Sequence, residues 1–280
     1  MDGEIITAGE FKLLQAYIAE HCGIALGVEK SYLVDMRLGE LLKETACLDF
    51  RALYRLAAND TSNQLRSRII DAMTTNETLW FRDGHPFTIL KEKLIPQVAE
   101  QLRSGALSRI RIWSAPCSTG QEPYSIAMAA RDWCRTERGL RPEHVEVLAS
   151  DISPTALAIA RAGRYDESSS KRGLPEEFRK RYFRHDGQTQ VVDDEIKRMV
   201  TFRQFNLKDS PDTLGRFDII FCRYVAIYFS DDFRRILYRG MARALEPGGY
   251  LLISAIENLR EVCADFEPLE HASGIYYRRT

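Results

Sequence analysis

The 280-residue sequence predicts an α/β protein: a helical N-terminal domain, then a mostly parallel sheet flanked by helices, with a small antiparallel β insertion. Three observations predict it. Up to about residue 82 every apolar pattern has helical spacing. From residue 105 onward, short strand-like runs alternate with helical ones, the grammar of a doubly wound sheet. Residues 164–203 break that alternation with a charged helix and β-prone pieces around a DG turn. The expected domains are a helical domain over 1–84, a linking helix over 85–104, and a sheet domain over 105–280 carrying the insertion at about 164–203.

Each element follows from its residues. Thr7 and Glu10 have capping-box spacing, in which hydroxyl and carboxylate satisfy each other's backbone donors. Phe11, Leu14 and Ile18 continue as a helical stripe, and Leu65, Ile69 and Met73 form another. Thr74 and Glu77 repeat the capping-box spacing, which predicts a further helix start. An amphipathic helix is expected from about 85 to 104, ending near Gly105. Then "RIRIWSA" reads as a strand before a helix from Pro123, "VEVLASDIS" as a strand before the helix "PTALAIARAG", and "FDIIFCR" as a strand before a helix starting near Ser230. "EPGG" reads as a turn leading into the strand "GYLLIS".

Composition narrows the function. At 45% hydrophobic the chain can bury a full core, and its formal net charge of −1 gives no global attraction to nucleic acid or anionic membrane. The six cysteines are scattered, without a C-x-x-C pair, so neither a zinc ribbon nor a thioredoxin-type motif is expected. No metal site is predicted. The N-terminus lacks a basic region followed by an apolar stretch, and the most apolar run, "FDIIFCRYVAIYF", is interrupted by Asp218 and Arg223. A cytoplasmic location without membrane insertion is the expectation.

The stretch "SAPCSTGQEPYS", residues 114–125, joins a strand to a helix through small residues. Small residues let backbone approach a ligand at a helix N-terminus. Gly120 is its only glycine, so the dinucleotide and phosphate-loop fingerprints are both absent. That favours a nucleoside ligand without phosphates, although the composition equally suits an ordinary βα turn. Asp151, ending the next strand, can accept hydrogen bonds from both hydroxyls of a ribose; it also suits a helix cap. In "TNETLWFRD" the polar Asn76, Thr78 and Arg82 alternate with bulky apolar residues, which either start a helix or face a cleft between the domains.

Together the strings "TNET-x-x-FR", "WSA-x-CSTG-x-EPYS", "SDIS", "NL", "FDIIFCR-x-V-x-IYF" and "L-x-PGGYL" occur in an order and spacing that resembles the chemotaxis receptor glutamate O-methyltransferase family. The likeness runs from about residue 10 to the end. It implies a Rossmann-like S-adenosylmethionine-dependent methyltransferase sheet behind an all-helical domain. The implied cofactor is S-adenosylmethionine, released as S-adenosylhomocysteine, and the implied substrate is a glutamate on a cytoplasmic helix of a chemoreceptor. Carried over, the cofactor contacts are Asn76, Thr78, Arg82, Glu122, Asp151, Asn206, Leu207, Arg223 and Tyr224, with Asp151 on the ribose. Arg82 and Tyr228 are expected nearest the transferring methyl, as the catalytic pair. A monomer is expected.

Two residues depart from the family's usual pattern. Tyr224 stands where asparagine usually follows the "FCR" arginine, and Pro116 stands in place of glycine or alanine. These departures keep open a second reading, a cofactor-binding sensory scaffold with little catalytic activity. In family members a basic helix face docks the acidic receptor bundle. Here Lys30, Arg37 and Lys43 mix with Glu29, Asp35, Glu40 and Glu44, so Arg51, Arg55, Arg66 and Arg68 are the alternative patch. The short loop "RHDGQTQVV" resembles the form that does not grip a receptor's pentapeptide tether.

Overall fold

The computed structural model describes residues 6–136, 141–259 and 262–280. Its contacts form two units. One comprises the chain through Thr75 together with Ile227–Arg234; the other comprises Asn76–Ala226 and Arg235–Thr280. The sequence reading drew the first boundary at 84, whereas residues 76–84 make their contacts within the sheet unit.

The first unit contains α1 (Ala8–Cys22), α2 (Ser31–Glu44), α3 (Phe50–Asn59) and α4 (Gln64–Met73). The first capping box forms as expected. Thr7 Oγ accepts from the Glu10 amide at 3.3 Å, and Glu10 Oε2 accepts from the Thr7 amide at 2.9 Å. Gly23, at φ +81°, ends α1 in the left-handed conformation. Phe11, Leu14 and Ile18 are buried, as are Leu65, Ile69 and Met73. The second capping box does not form. Thr74 terminates α4 in extended backbone, its hydroxyl donates to the Asp71 carbonyl at 2.7 Å, and no helix follows until residue 85. Arg37 of α2 is drawn to that terminus, donating to the carbonyls of Met73 at 2.8 Å and Thr74 at 3.1 Å.

The second unit begins with the expected long helical run: α5 (His85–Ile89), a π-helical turn at Leu90–Leu94, and α6 (Ile95–Arg103). The alternation follows as β1 (Ile110–Ser114), α7 (Gln121–Thr136), β2 (Val145–Asp151) and α8 (Pro154–Ala162). The insertion supplies β3 (Arg164–Asp166), α9 (Glu167–Lys171), α10 (Glu176–Tyr182), β4 (Phe183–Asp186), β5 (Thr189–Val192) and α11 (Asp194–Lys197). The chain closes with β6 (Val200–Gln204), β7 (Phe217–Phe221), α12 (Asp231–Ala244), β8 (Leu245–Leu252), β9 (Phe266–His271) and β10 (Gly274–Arg279).

The large sheet has the order β6-β2-β1-β7-β8-β10-β9. The first five strands are parallel; β10 runs antiparallel to β8, and β9 antiparallel to β10. Helices cover a sheet whose central strands are buried on both sides: all five residues of β7 are buried. The small sheet, β3-β5-β4, is antiparallel, and Asp186–Gly187 opens its tight turn as expected. Residues 200–203, expected in the insertion, instead belong to β6 and pair in parallel with β2. "EPGG" is not a free turn either. It lies inside β8 as a bulge, where Gly248 adopts φ +76° and a Cβ on Gly249 would stand 3.0 Å from the Asp218 carbonyl oxygen.

Candidate active site

The strand order reverses at β1. From there β2 and β6 lie to one side, β7 and β8 to the other, so the carboxyl ends of β1 and β7 flank the switch point where such sheets bind ligands. The loop after β1 is tied on both sides. The Ala115 amide donates to Phe221 O at 2.9 Å, and the Cys117 amide to Ser150 O at 2.8 Å. The Ala115–Pro116 peptide is cis. Gly120 sits at φ +99°, and a Cβ there would stand 2.9 Å from Tyr165 Oη and 3.0 Å from Ala160 Cβ. Only glycine allows the loop this close to α8 and β3.

Asp151 ends β2 and is 4% exposed. Its Oδ2 accepts from the Ser118 amide at 2.7 Å and its Oδ1 from the Ser153 amide at 2.9 Å. The helix-cap role left open for it in the sequence falls to Ser153, whose hydroxyl accepts from the Ala156 amide at 2.9 Å. Ser118 Oγ in turn donates to the Asn76 carbonyl at 2.8 Å, attaching "TNET" to the loop. Asn206 follows β6, where its Oδ1 accepts from the Lys208 amide at 3.0 Å, and the neighbouring Phe205 amide donates to Asp151 O at 2.9 Å. Thr78 and Leu207 are half-buried.

Beyond β7 the side chains form a polar chain. Arg223, 1% exposed at its side chain, donates to Glu122 Oε2 at 2.7 Å, to Asp83 Oδ2 at 2.7 Å and to Arg82 O at 2.8 Å. Glu122 Oε1 accepts from Ser114 Oγ at 2.8 Å. Glu122 and Arg223, both expected to touch the cofactor, are thus committed to each other. Their observed work is to lock β1, α7 and the β7 loop around residue 83. Arg223 Nε is buried and without a hydrogen-bond partner among the described residues.

Tyr224 follows at φ +58° and donates its phenol to Asp83, at 2.8 Å from either carboxylate oxygen. Arg82 stacks on it, its Cζ 3.3 Å from the ring centroid. Burial, and then the Asp83 hydrogen bond and charge, push the Tyr224 phenol up from its ordinary pKa. The thiols nearest this edge are also pushed up by burial, Cys117 further by the charges of Asp151 and Glu122, and Cys222 by those of Glu257 and Glu122. Neither thiol is a nucleophile at neutral pH. Tyr228 belongs to the helical unit, where its carbonyl accepts from the Ala25 amide at 2.8 Å.

The sequence reading missed Asp83 and Glu257. Asp83 directly follows the chosen Arg82 in "FRD", so adjacency was an available signal. Glu257 lies just past the carboxyl end of β8. It accepts from the amides of Ala226 at 3.0 Å and Ser254 at 2.9 Å, clamping the turn after Tyr224.

A parallel sheet closed by a reversed hairpin, with an acid ending the second strand and a one-glycine loop after the first, defines an S-adenosylmethionine-dependent methyltransferase. The residues fit that cofactor: an acidic acceptor and a close backbone approach are present, and a pyrophosphate loop is not. The match to known families is specific. The CheR methyltransferase SAM-binding domain matches residues 76–275, and the CheR methyltransferase all-alpha domain matches residues 9–74. The chain is 43% identical over 274 residues to a chemotaxis protein methyltransferase of Vibrio parahaemolyticus, with 98% of each chain covered. Identity to chemotaxis protein methyltransferase 1 of Vibrio cholerae is 43% over 274 residues, again with 98% of each chain covered. For chemotaxis protein methyltransferase 1 of Pseudomonas aeruginosa it is 39% over 270 residues, covering 96% of this chain and 97% of the other. This chain belongs to the CheR methyltransferase family.

Its reaction is S-adenosylmethionine-dependent methylation of chemoreceptors at glutamate carboxylates. When bound, the cofactor supplies an electrophilic methyl group on a sulfonium. The protein's part is modest in chemistry and demanding in geometry. A glutamate titrates near pH ~4.3, so the nucleophile is already ionised at neutral pH and needs no general base. Holding it in line with the methyl is worth up to roughly 7–11 kcal/mol in favourable cases.

Proposed function

We propose that Asp151 accepts the ribose hydroxyls while Asn76, Thr78, Asn206, Leu207 and the backbone of the Arg223–Tyr224 step border the adenosyl group. Arg82 takes a carboxylate in its fork, and Tyr228 is its proposed partner in methyl transfer. The observation that carries this reading is Asp151: a 4%-exposed carboxylate at the switch-point edge, already holding the amide of the ligand loop. Arg82 is half-buried, with its guanidinium presented over an aromatic ring. Arg82→Ala is expected to abolish most methyl transfer to a receptor cytoplasmic fragment while the fold survives. Turnover like the wild type in that variant would refute the assignment.

The receptor is expected to dock on the helical unit through local positive charge. Arg37 is engaged by the α4 terminus and Arg68 pairs with Glu44, which leaves the exposed Arg51 and Arg55 and the half-buried Arg66 as the candidate contacts. Affinity that does not weaken with salt would remove that idea. The β4–β5 turn is short, so binding is proposed to be independent of a pentapeptide tether, with the enzyme acting as a monomer in the cytoplasm. Among the described residues no helix is long and apolar enough to cross a membrane.

A further inference from the structure

We propose that Tyr224 is a positioning residue: its ring fixes the plane of the Arg82 guanidinium so that the fork meets a carboxylate edge-on. The proposal rests on the reading of Arg82 given above. A guanidinium stacked face-on against a ring keeps its N–H donors in plane, pointing past the ring edge. The Arg82 guanidinium lies over the ring, its Cζ 3.3 Å from the centroid, and its own hydrogen bond seen among the described residues is a long one, Nη1 to Glu77 O at 3.4 Å. Its orientation therefore depends on the ring beneath it.

The ring is itself held at both ends. Its phenol donates to Asp83, whose carboxylate is aimed by the buried Arg223 at 2.7 Å. Its backbone amide donates to Glu257 Oε2 at 3.4 Å, and the Ala226 amide two residues on donates to Glu257 Oε1 at 3.0 Å. The backbone at Tyr224 sits at φ +58°, a left-handed conformation that costs a residue bearing a bulky side chain. Asparagine adopts that backbone more easily but offers no ring. Strain kept at such a place, beside a stacked cation, points to a function for the ring.

The test uses the full chain with a receptor cytoplasmic fragment and S-adenosylhomocysteine as probes. Tyr224→Leu and Tyr224→Asn are each expected to lower kcat/KM about 5- to 30-fold, the range of a partly buried cation–π contact. Tyr224→Phe, which keeps the ring and loses the phenol, should recover most of that loss, a rescue that a role resting on the Asp83 hydrogen bond alone does not predict. Tyr224→Asn suits the positive φ, so it keeps the test valid if the leucine variant fails to fold. If S-adenosylhomocysteine affinity falls by the same factor, the carboxylate is the cofactor's. If that affinity holds while receptor kinetics suffer, it is the substrate's glutamate. Either result supports the proposal. Wild-type kinetics and wild-type S-adenosylhomocysteine affinity in both Tyr224→Leu and Tyr224→Asn would overturn it. Arg82→Ala in parallel separates the two ideas: loss there with none at Tyr224 sinks only the ring, whereas no loss in either sinks the reading of Arg82 as well.

Discussion

Replacing Arg223 by methionine should unfold the catalytic edge from within. The side chain is 1% exposed and serves three acceptors at 2.7, 2.7 and 2.8 Å. Methionine fills similar volume, so the loss is electrostatic rather than a cavity. It leaves Glu122, 11% exposed at its side chain, facing an apolar thioether in place of its cationic partner. Removing one partner of a buried ion pair costs about 3–5 kcal/mol. Asp83, at 23% side-chain exposure, can rehydrate, which places the expected value near the lower end, about 3 kcal/mol. For a body of this size that lowers the melting midpoint by about 6–12 °C. Differential scanning calorimetry on Arg223→Met, Glu122→Gln and the double variant measures it. A neutral amide tolerates the dry site better, so the double variant should regain about 1–2 kcal/mol over Arg223→Met. A single-variant loss below about 1 kcal/mol, or strictly additive losses in the double, would show that this arginine is no strut.

Three further outcomes are expected. Gly120→Ala forces a side chain into φ +99° and against Tyr165 and Ala160, and should cost about 2–4 kcal/mol of stability by thermal melt; a loss of only a few tenths would contradict the tight approach. Asp151→Ala should weaken S-adenosylhomocysteine binding about 10- to 100-fold by isothermal titration, the worth of charge-assisted hydrogen bonds to a diol, and unchanged affinity would remove Asp151 from the ribose. Burial holds the phenols of Tyr124 and Tyr165 above the ordinary tyrosine range. Because their folded pKa exceeds the unfolded value, their contribution to stability is complete below pH ~10 and is lost as pH rises beyond it. Ultraviolet titration should therefore show these phenolates appearing only with unfolding, and a folded protein in which all twelve tyrosines ionise near pH ~10 would rule that out.

What could be read from the chain was what short-range physics writes into it. The parallel strands announced themselves because short strand-like runs alternate with helical ones, and "FDIIF" is buried throughout. Thr7 and Glu10 cap a helix as their spacing says, yet Thr74 and Glu77 with the same spacing do not. There Trp80, fully buried, is held in the inserted subdomain, its amide on Arg172 O at 3.2 Å and its indole on Ser169 O at 3.0 Å. Tertiary packing overrides a local signal. "EPGG" misled for a related reason: the glycines that suggest a turn also permit a bulge pressed against β7. The site's members were legible through their motif strings, but their wiring was not. Arg223 meets Glu122 across 101 positions and Asp83 across 140, distances over which no periodicity carries information. Hence the ion pair between Arg223 and Glu122 was not legible in the chain.

The insertion's two ends have different freedom, and that sets the terms for exchanging parts between relatives. At the hairpin tip, a Cβ on Gly187 would meet nothing within 4 Å, so a longer tip could be grafted there without disturbing its neighbours. At the opposite corner, a Cβ on Gly173 would come within 2.2 Å of the Trp80 carbonyl oxygen, two residues before Arg82. A chimera cut between β4 and β5 should leave the chemistry alone, while one spliced through that glycine corner would retune the reacting end of the enzyme along with its accessory lobe.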